Sequence, residues 1–121
     1  MKPLLSKDLP TFLERLCHFK DGEIRSMDIL SPTEITITLT TQDSARGYDW
    51  ISITLHFSGV SDAKLLQEHQ FDFVDMSDGI TLVYENNLFA FGIGECYNIA
   101  AIKNSSAYII AQSLKYEEGT F

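Results

Sequence analysis

The sequence predicts an α+β domain that is mainly β, with an N-terminal helix followed by an antiparallel sheet of about six to eight strands, arranged as a meander or sandwich-like. Three observations support this prediction. The chain has 121 residues, the usual length of one domain, so residues 1–121 are expected to form a single folded unit. Apolar residues repeat with the period of a helix before Gly22, and mostly with the period of a strand after it.

The helix is predicted from five apolar residues that share one side of a 3.6-residue period: Leu9, Phe12, Leu13, Leu16 and Phe19. Asp8 is the expected N-cap, Pro10 fits the first turn, and Gly22 follows as a stop signal. In such a helix His18 faces water. It cannot pair with Cys17, because neighbouring helical residues point about 100° apart.

A first hairpin is predicted in residues 23–41, where 33-TEITITLTT-41 alternates cleanly between apolar and polar residues. A three-residue loop, Ser31 to Thr33, sets two apolar pairs: Ile29 with Ile35, and Met27 with Ile37. A two-residue loop is expected to place Ile29 opposite Glu34, a register that a buried face would reject.

The next strand is predicted in 50-WISITLHF-57, with two alternating sets of side chains. One set is expected to be buried: Ile51, Ile53, Leu55 and Phe57. Trp50 and His56 belong to the outer set, where His56 has no carboxylate two positions away to orient it as a general base. Gly59 predicts a bulge or bend. Residues 61–67 fit a helix or a strand continuation, and we favour the strand.

The strongest local signal lies in residues 79–94, where Asn86-Asn87 can form a tight hairpin turn. This turn sets three apolar pairs: Tyr84 with Phe89, Leu82 with Phe91, and Ile80 with Ile93. A further strand is predicted in 71-FDFVDM-76, joined through Asp78-Gly79. That connection would place Phe73 opposite Tyr84 and Asp72 opposite Glu85.

The remaining segments give weaker signals. Residues 95–106 are expected to be a loop with a turn of helix, and residues 107–118 fit a helix or a strand. Their β-branched and aromatic residues favour the strand. The predicted core contains eight residues that lie on the apolar sides of these elements: Phe12, Leu16, Ile37, Ile53, Leu55, Leu82, Tyr84 and Phe91.

The composition restricts the classes of function. Seventeen acidic and nine basic residues give a net charge of −8, which argues against nucleic-acid binding and permits a basic protein partner. Solubility alone also explains such a charge. No signal peptide or membrane span is recognisable, so a cytoplasmic location and no membrane contact are expected. Cys17 and Cys96 are isolated, without the spacing of a zinc site, and are expected to be free thiols.

Three motifs resemble chemical sites, and none of them predicts a catalytic residue, a metal or a cofactor. In 91-FGIGECY-97, Tyr97 replaces the third glycine of a dinucleotide-binding loop. Cys96 would need a histidine base that the sequence does not place beside it. His69 lies among carboxylates that do not have the spacing of a calcium loop.

Some stretches resemble known families: 50-WISITLHFSGVSDAKL-65, including Phe57-Ser58-Gly59-Val60, the strand FDFVDM, and 107-AYIIAQSLKYEE-118. They are similar to small uncharacterised bacterial proteins, some of which are immunity proteins of polymorphic toxin systems. The resemblance covers most of the chain after Gly22. It implies a protein-binding role and carries over no catalytic residue.

Two functions follow as hypotheses. The first is a non-enzymatic protein-binding module, such as an immunity-type inhibitor of a basic partner, with Trp50, His56, Asp72 and Glu85 in the contact surface. Trp50 fits an aromatic hot spot or a residue packed under a loop or the last strand. The alternative is a small enzyme or small-molecule-binding domain with a pocket near Cys96 and His69, to which Glu95 would contribute. A structural subunit that dimerises through a sheet edge is a third reading.

Overall fold

The computed structural model describes residues 1–121 and contains one antiparallel sheet with two short helices. The strands are β1 (Lys2–Pro3), β2 (Ile24–Ser31), β3 (Glu34–Asp43), β4 (Asp49–Lys64), β5 (Ile80–Glu85), β6 (Leu88–Ile93) and β7 (Tyr108–Thr120). The helices are α1 (Leu9–Arg15) and the single turn α2 (Ile99–Ile102). The α+β, mainly β class is therefore confirmed, with seven strands in one open sheet rather than a sandwich.

The strand order is β2-β3-β4-β7-β6-β5, and β1 also pairs with β7. The first three strands form a meander, and β5 and β6 form a hairpin. Strand β7 lies between these two units, because it pairs with β4 on one edge and with β6 and β1 on the other. The pairing of β4 with β7 is the longest in the sheet, from Ile51 with Thr120 to Lys64 with Tyr108.

The N-terminal helix is shorter than predicted. It ends at Arg15, and Cys17, His18 and Phe19 form a left-handed 3-10 turn with φ of 54°, 55° and 60°. The turn still buries both Leu16 and Phe19 completely, so the apolar pattern was right although the helical extent was wrong. Asp8 occupies the N-cap position, but its side chain makes no capping hydrogen bond.

The first hairpin has the predicted register, with Ile29 opposite Ile35 and Met27 opposite Ile37. Its turn contains only Pro32 and Thr33. The register survives because the pairing is irregular between Ile29 and Ser31, and the extra residue there compensates for the shorter turn. The expectation that a two-residue loop shifts the register was therefore wrong. Ile29 is also 68% exposed, since it lies near the end of an edge strand.

Strand β4 agrees with its prediction. Ile51, Ile53, Leu55 and Phe57 are buried. Gly59 has φ of +67°, and the pairing with β7 shifts between Val60 and Asp62. The strand continues to Lys64, which confirms the strand interpretation for the first half of residues 61–67.

The β5–β6 hairpin has all three predicted pairs, and Asn86 and Asn87 have φ of 55° and 63°. Tyr84 was nevertheless wrongly predicted to be buried. It is 42% exposed because β5 is an edge strand, where its ring packs against Phe89 with centroids 4.8 Å apart. The other seven predicted core residues are buried.

The strand predicted at residues 71–76 is wrong. Glu68–Phe73 forms a 3-10 helix that begins with a capping box between Gln67 and Gln70. Phe71 and Val74, three residues apart, pack against the core, whereas Phe73 is 87% exposed. The apolar residues of this segment that reach the core are therefore spaced three apart, as in a 3-10 helix, and not two apart, as in a strand. The later segments are confirmed: α2 lies in the predicted loop, and β7 is a strand.

The sheet is covered differently on its two faces. The N-terminal segment and α1 pack on one face and enclose the main core. On the opposite face α2 covers only the β5–β6–β7 end, with a small cluster of Ala90, Ile102 and Ile110. The rest of that face, formed by β2, β3, β4 and part of β7, carries polar side chains. We call it the open face.

Candidate functional site

The open face consists of transverse rows of small polar side chains from neighbouring strands. One row contains Asp28, Thr36, His56 and Lys115, and the next contains Ser26, Thr38, Thr54 and Glu117. A third contains Ser31, Glu34, Ser58 and Ser113. These side chains are half-buried or exposed, and most carry hydroxyl groups. The alternation of residues along each strand produces this surface, since every second side chain points away from the core.

An aromatic pair lies at one end of the open face. Trp50 is 38% exposed, and its ring centroid is 5.8 Å from that of Phe121. The Arg25 guanidinium lies 4.7 Å from the centroid of the Phe121 ring and donates a 2.8 Å hydrogen bond to the Phe121 carbonyl oxygen. Trp50 is therefore partly covered by Phe121 and partly exposed to solvent. Together, Trp50, Phe121 and Arg25 form a partly exposed aromatic and cationic cluster.

His56 lies on the same face, six residues along β4 from Trp50. Its Nε2 atom is 3.1 Å from Glu34 Oε2, and its side chain is about one-fifth exposed. The strand pattern did not predict this partner, because the residues two positions from His56 on its own strand are Thr54 and Ser58. Glu34 comes from β3, where it is paired with Ser58. The register of the sheet was the signal that could have identified this pair.

Asp72 and Glu85 do not lie opposite each other. Asp72 belongs to the 3-10 helix beside β2, near Arg25 and His69, and Glu85 is paired with Leu88 at the β5–β6 turn. The predicted pairing of the two carboxylates is therefore wrong. The four predicted contact residues lie in three regions, and only Trp50 and His56 belong to the open face.

A charged network that the sequence pattern did not predict fixes α1 to the end of the sheet. Arg15 donates to both carboxylate oxygens of the fully buried Asp43, at 3.0 and 2.6 Å, and to Glu118 at 2.7 Å. Arg46 also pairs with Asp43 and Glu118. These hydrogen bonds, chiefly those from Arg15, lower the pKa of Asp43. The network is structural, since its two arginines are already paired within the protein.

A cleft of about 340 Å³ lies where the left-handed turn, the start of β5 and the β6–α2 loop meet. Its lining consists of Leu13, His18, Lys20, Asp78, Ile80, Thr81, Glu95, Cys96 and Tyr97, and we call it the Cys96 cleft. His69 lines a different depression, together with Arg25, Glu68 and Asp72. The predicted pocket near Cys96 is therefore present, but His69 is not part of it, and His18 and Glu95 are.

Cys96 is not activated as a nucleophile in this cleft. Burial raises the pKa of its thiol, so the sulfur stays protonated at neutral pH. Its Sγ–H is oriented toward the Ile93 carbonyl oxygen at 3.9 Å, and no histidine hydrogen-bonds to it. Cys17 is also a free cysteine. No group of three or more His, Cys, Asp or Glu side chains is arranged to hold a metal ion.

No helix has both the length and the apolar character needed to cross a membrane. Searches against protein-family models, curated proteins and solved structures find no match to this chain.

Proposed function

We propose that this protein is a non-enzymatic protein-binding module that uses the open face to bind a basic protein. Its most concrete form is an immunity-type inhibitor of a basic toxin. The observation that carries the proposal is the open face itself, a four-stranded polar surface with no element packed on it and an exposed aromatic cluster at one end.

The side chains of the open face favour a protein contact. Serine and threonine lose little rotamer freedom when a partner covers them, so the cost of ordering this surface is small. Trp50, Phe121 and Arg25 provide aromatic and guanidinium groups, and tryptophan and arginine are enriched among the residues that dominate binding energy. His56 and Thr54 lie toward the middle of the face, where a partner would exclude water.

The charge of the protein supports a basic partner. The chain carries −8, and the open face contains the carboxylates of Asp28, Glu34 and Glu117 against two cations, Lys115 and the Arg25 guanidinium of the aromatic cluster. Such an excess accelerates association with a positively charged protein and makes the rate depend on salt.

The test uses the protein as bait in an extract of its native cells. A Thr54→Arg variant places a long cation in the middle of the open face, so it should remove capture of the basic partner and weaken purified binding by about 100-fold. The captured protein should lose its own activity when it is mixed with the parent at equal concentration. Increasing salt should slow association.

The matched control is Thr11→Arg, because Thr11 is exposed on α1, on the opposite side of the sheet. This variant should bind like the parent. Equal capture by Thr54→Arg and the parent would show that the open face is plain solvated surface. Capture of a partner whose activity is unchanged by binding would contradict the inhibitor role.

A further inference from the structure

We propose that the Cys96 cleft binds a small zwitterion of the amino-acid class, a molecule that carries one ammonium and one carboxylate group. This is a binding site separate from the open face, at the β5 edge of the sheet, and it does not depend on the proposed protein partner. Its volume of about 340 Å³ lies at the small end of the range for ligand pockets, about 300–1,000 Å³.

The first wall of the cleft is formed by the left-handed turn, which supplies His18 and Lys20. Three consecutive non-glycine residues with positive φ are unfavourable, so the surrounding structure must hold them. Buried Phe19 anchors the turn, Asp21 N–H donates to the Met76 carbonyl oxygen, and Gly79 lies against the His18 carbonyl group. The backbone that carries His18 and Lys20 is thereby held beside the start of β5, and both side chains are exposed in the cleft.

The second wall is the loop after β6. Thr81 of β5 fixes this loop, because its hydroxyl donates to the Gly94 carbonyl oxygen at 2.7 Å and accepts from the Cys96 N–H at 3.0 Å. The Tyr97 hydroxyl donates to Glu95 Oε1 at 3.3 Å, which holds an aromatic ring beside a carboxylate. A carboxylate next to an aromatic ring is a favourable environment for an ammonium group.

The charged groups of the cleft form no ion pairs within the protein. Lys20, Asp78 and Glu95 form no ion pair, although ion pairs are formed elsewhere by both arginines of the Asp43 network and by Lys103 with Asp62. A purely anionic ligand would approach the two carboxylates, and a purely cationic ligand would leave Lys20 unsatisfied. A zwitterion matches both signs, with its carboxylate at Lys20 and His18 and its ammonium at Glu95, Asp78 and Tyr97.

The experiment titrates the ¹⁵N-labelled protein with matched small molecules and follows amide chemical shifts. The zwitterions are leucine and its isomer 6-aminohexanoate, which differ in the separation of their charges. The single-charge controls are hexylamine and hexanoate. At least one zwitterion should give saturable shifts at Thr81, Cys96 and Tyr97, with an affinity at least about tenfold above that of either control, or about 1.4 kcal/mol.

Two variants test the assignment of the charges. Lys20→Met and Glu95→Gln should each weaken binding of the zwitterion by about tenfold or more, while the free protein keeps its shifts elsewhere, since both residues are exposed. The matched controls are Lys115→Met and Glu117→Gln on the open face, which should bind like the parent.

Three results would overturn the proposal: no saturable shift with either zwitterion up to ~10 mM, single-charge molecules that bind as tightly as the zwitterions, or shifts that map outside the cleft. Because the protein partner is tested on the open face, either proposal can fail while the other stands.

Discussion

Truncation of Leu55 to alanine tests the packing of the sheet at its centre. Leu55 lies in the middle of β4 and is fully buried, opposite Ile37 of β3 and Tyr116 of β7. The change removes three buried carbon atoms and leaves a cavity in the core, between the sheet and the N-terminal segment that packs on it. Because β4 is hydrogen-bonded to a strand on each side, it cannot shift into that cavity alone, so little of the cavity can close.

We therefore expect Leu55→Ala to lower the free energy of unfolding by about 3–5 kcal/mol, in the upper part of the range for buried leucines. A domain of this size has a total stability of about 5–15 kcal/mol, so the variant should remain folded but be clearly weakened. The measurement is urea unfolding followed by circular dichroism, with the slope unchanged and the midpoint lowered.

The matched control is the same substitution at Leu30, which is 57% exposed on the edge strand β2. Leu30→Ala should change the stability by less than about 0.5 kcal/mol. Equal effects of the two substitutions, or a midpoint of Leu55→Ala that matches the parent, would refute the placement of Leu55 in the core.

Two further predictions concern the charged network and a glycine contact. Asp43→Asn should lower the stability by about 1.5–3 kcal/mol at pH 7, because charged hydrogen bonds are lost. Its folded pKa is below the ordinary 3.8, so the parent's advantage should be complete above about pH 4–5 and should shrink as the pH falls through the folded pKa. A pH-independent difference between the two unfolding curves would contradict this assignment. Gly79→Ala should cost at least about 2 kcal/mol more than Gly47→Ala, since both have positive φ but only a Cβ at position 79 overlaps backbone atoms. Similar melting temperatures for the two variants would argue against the close contact.

The parts of the fold that the sequence predicted are those with local causes. The Asn86-Asn87 turn and the apolar alternation in residues 79–94 require the same register, and the β5–β6 hairpin has that register. Strand β4 has an equally clear pattern. The position of β7 between β4 and β6 could not be inferred. The residues paired between β4 and β7 are more than 40 positions apart, and the sequence of neither strand indicates which strand it pairs with.

The candidate sites were predicted less well, for a related reason. The Cys96 cleft brings together residues 18–20, 78–81 and 95–97, and its first wall depends on a left-handed turn that only tertiary packing can impose. The helical spacing of Leu16 and Phe19 concealed this turn. Glu34 beside His56 required the exact pairing of β3 with β4. Asp72 and Glu85 were linked through a strand that is in fact a 3-10 helix.

The insertion of β7 also has a consequence for how the chain reaches its native state. Residues paired between β4 and β7 are 44 to 69 positions apart, so closing the sheet requires a large loss of chain entropy before it gains contacts. Folding is therefore expected on the millisecond-to-second timescale of high-contact-order proteins. Until β7 docks, the β2–β3–β4 meander and the β5–β6 hairpin each present an unpaired inner edge. During that interval these edges can pair with those of other partly folded chains. Substitutions that slow the docking of β7 should therefore increase aggregation more than they lower the stability of the native state.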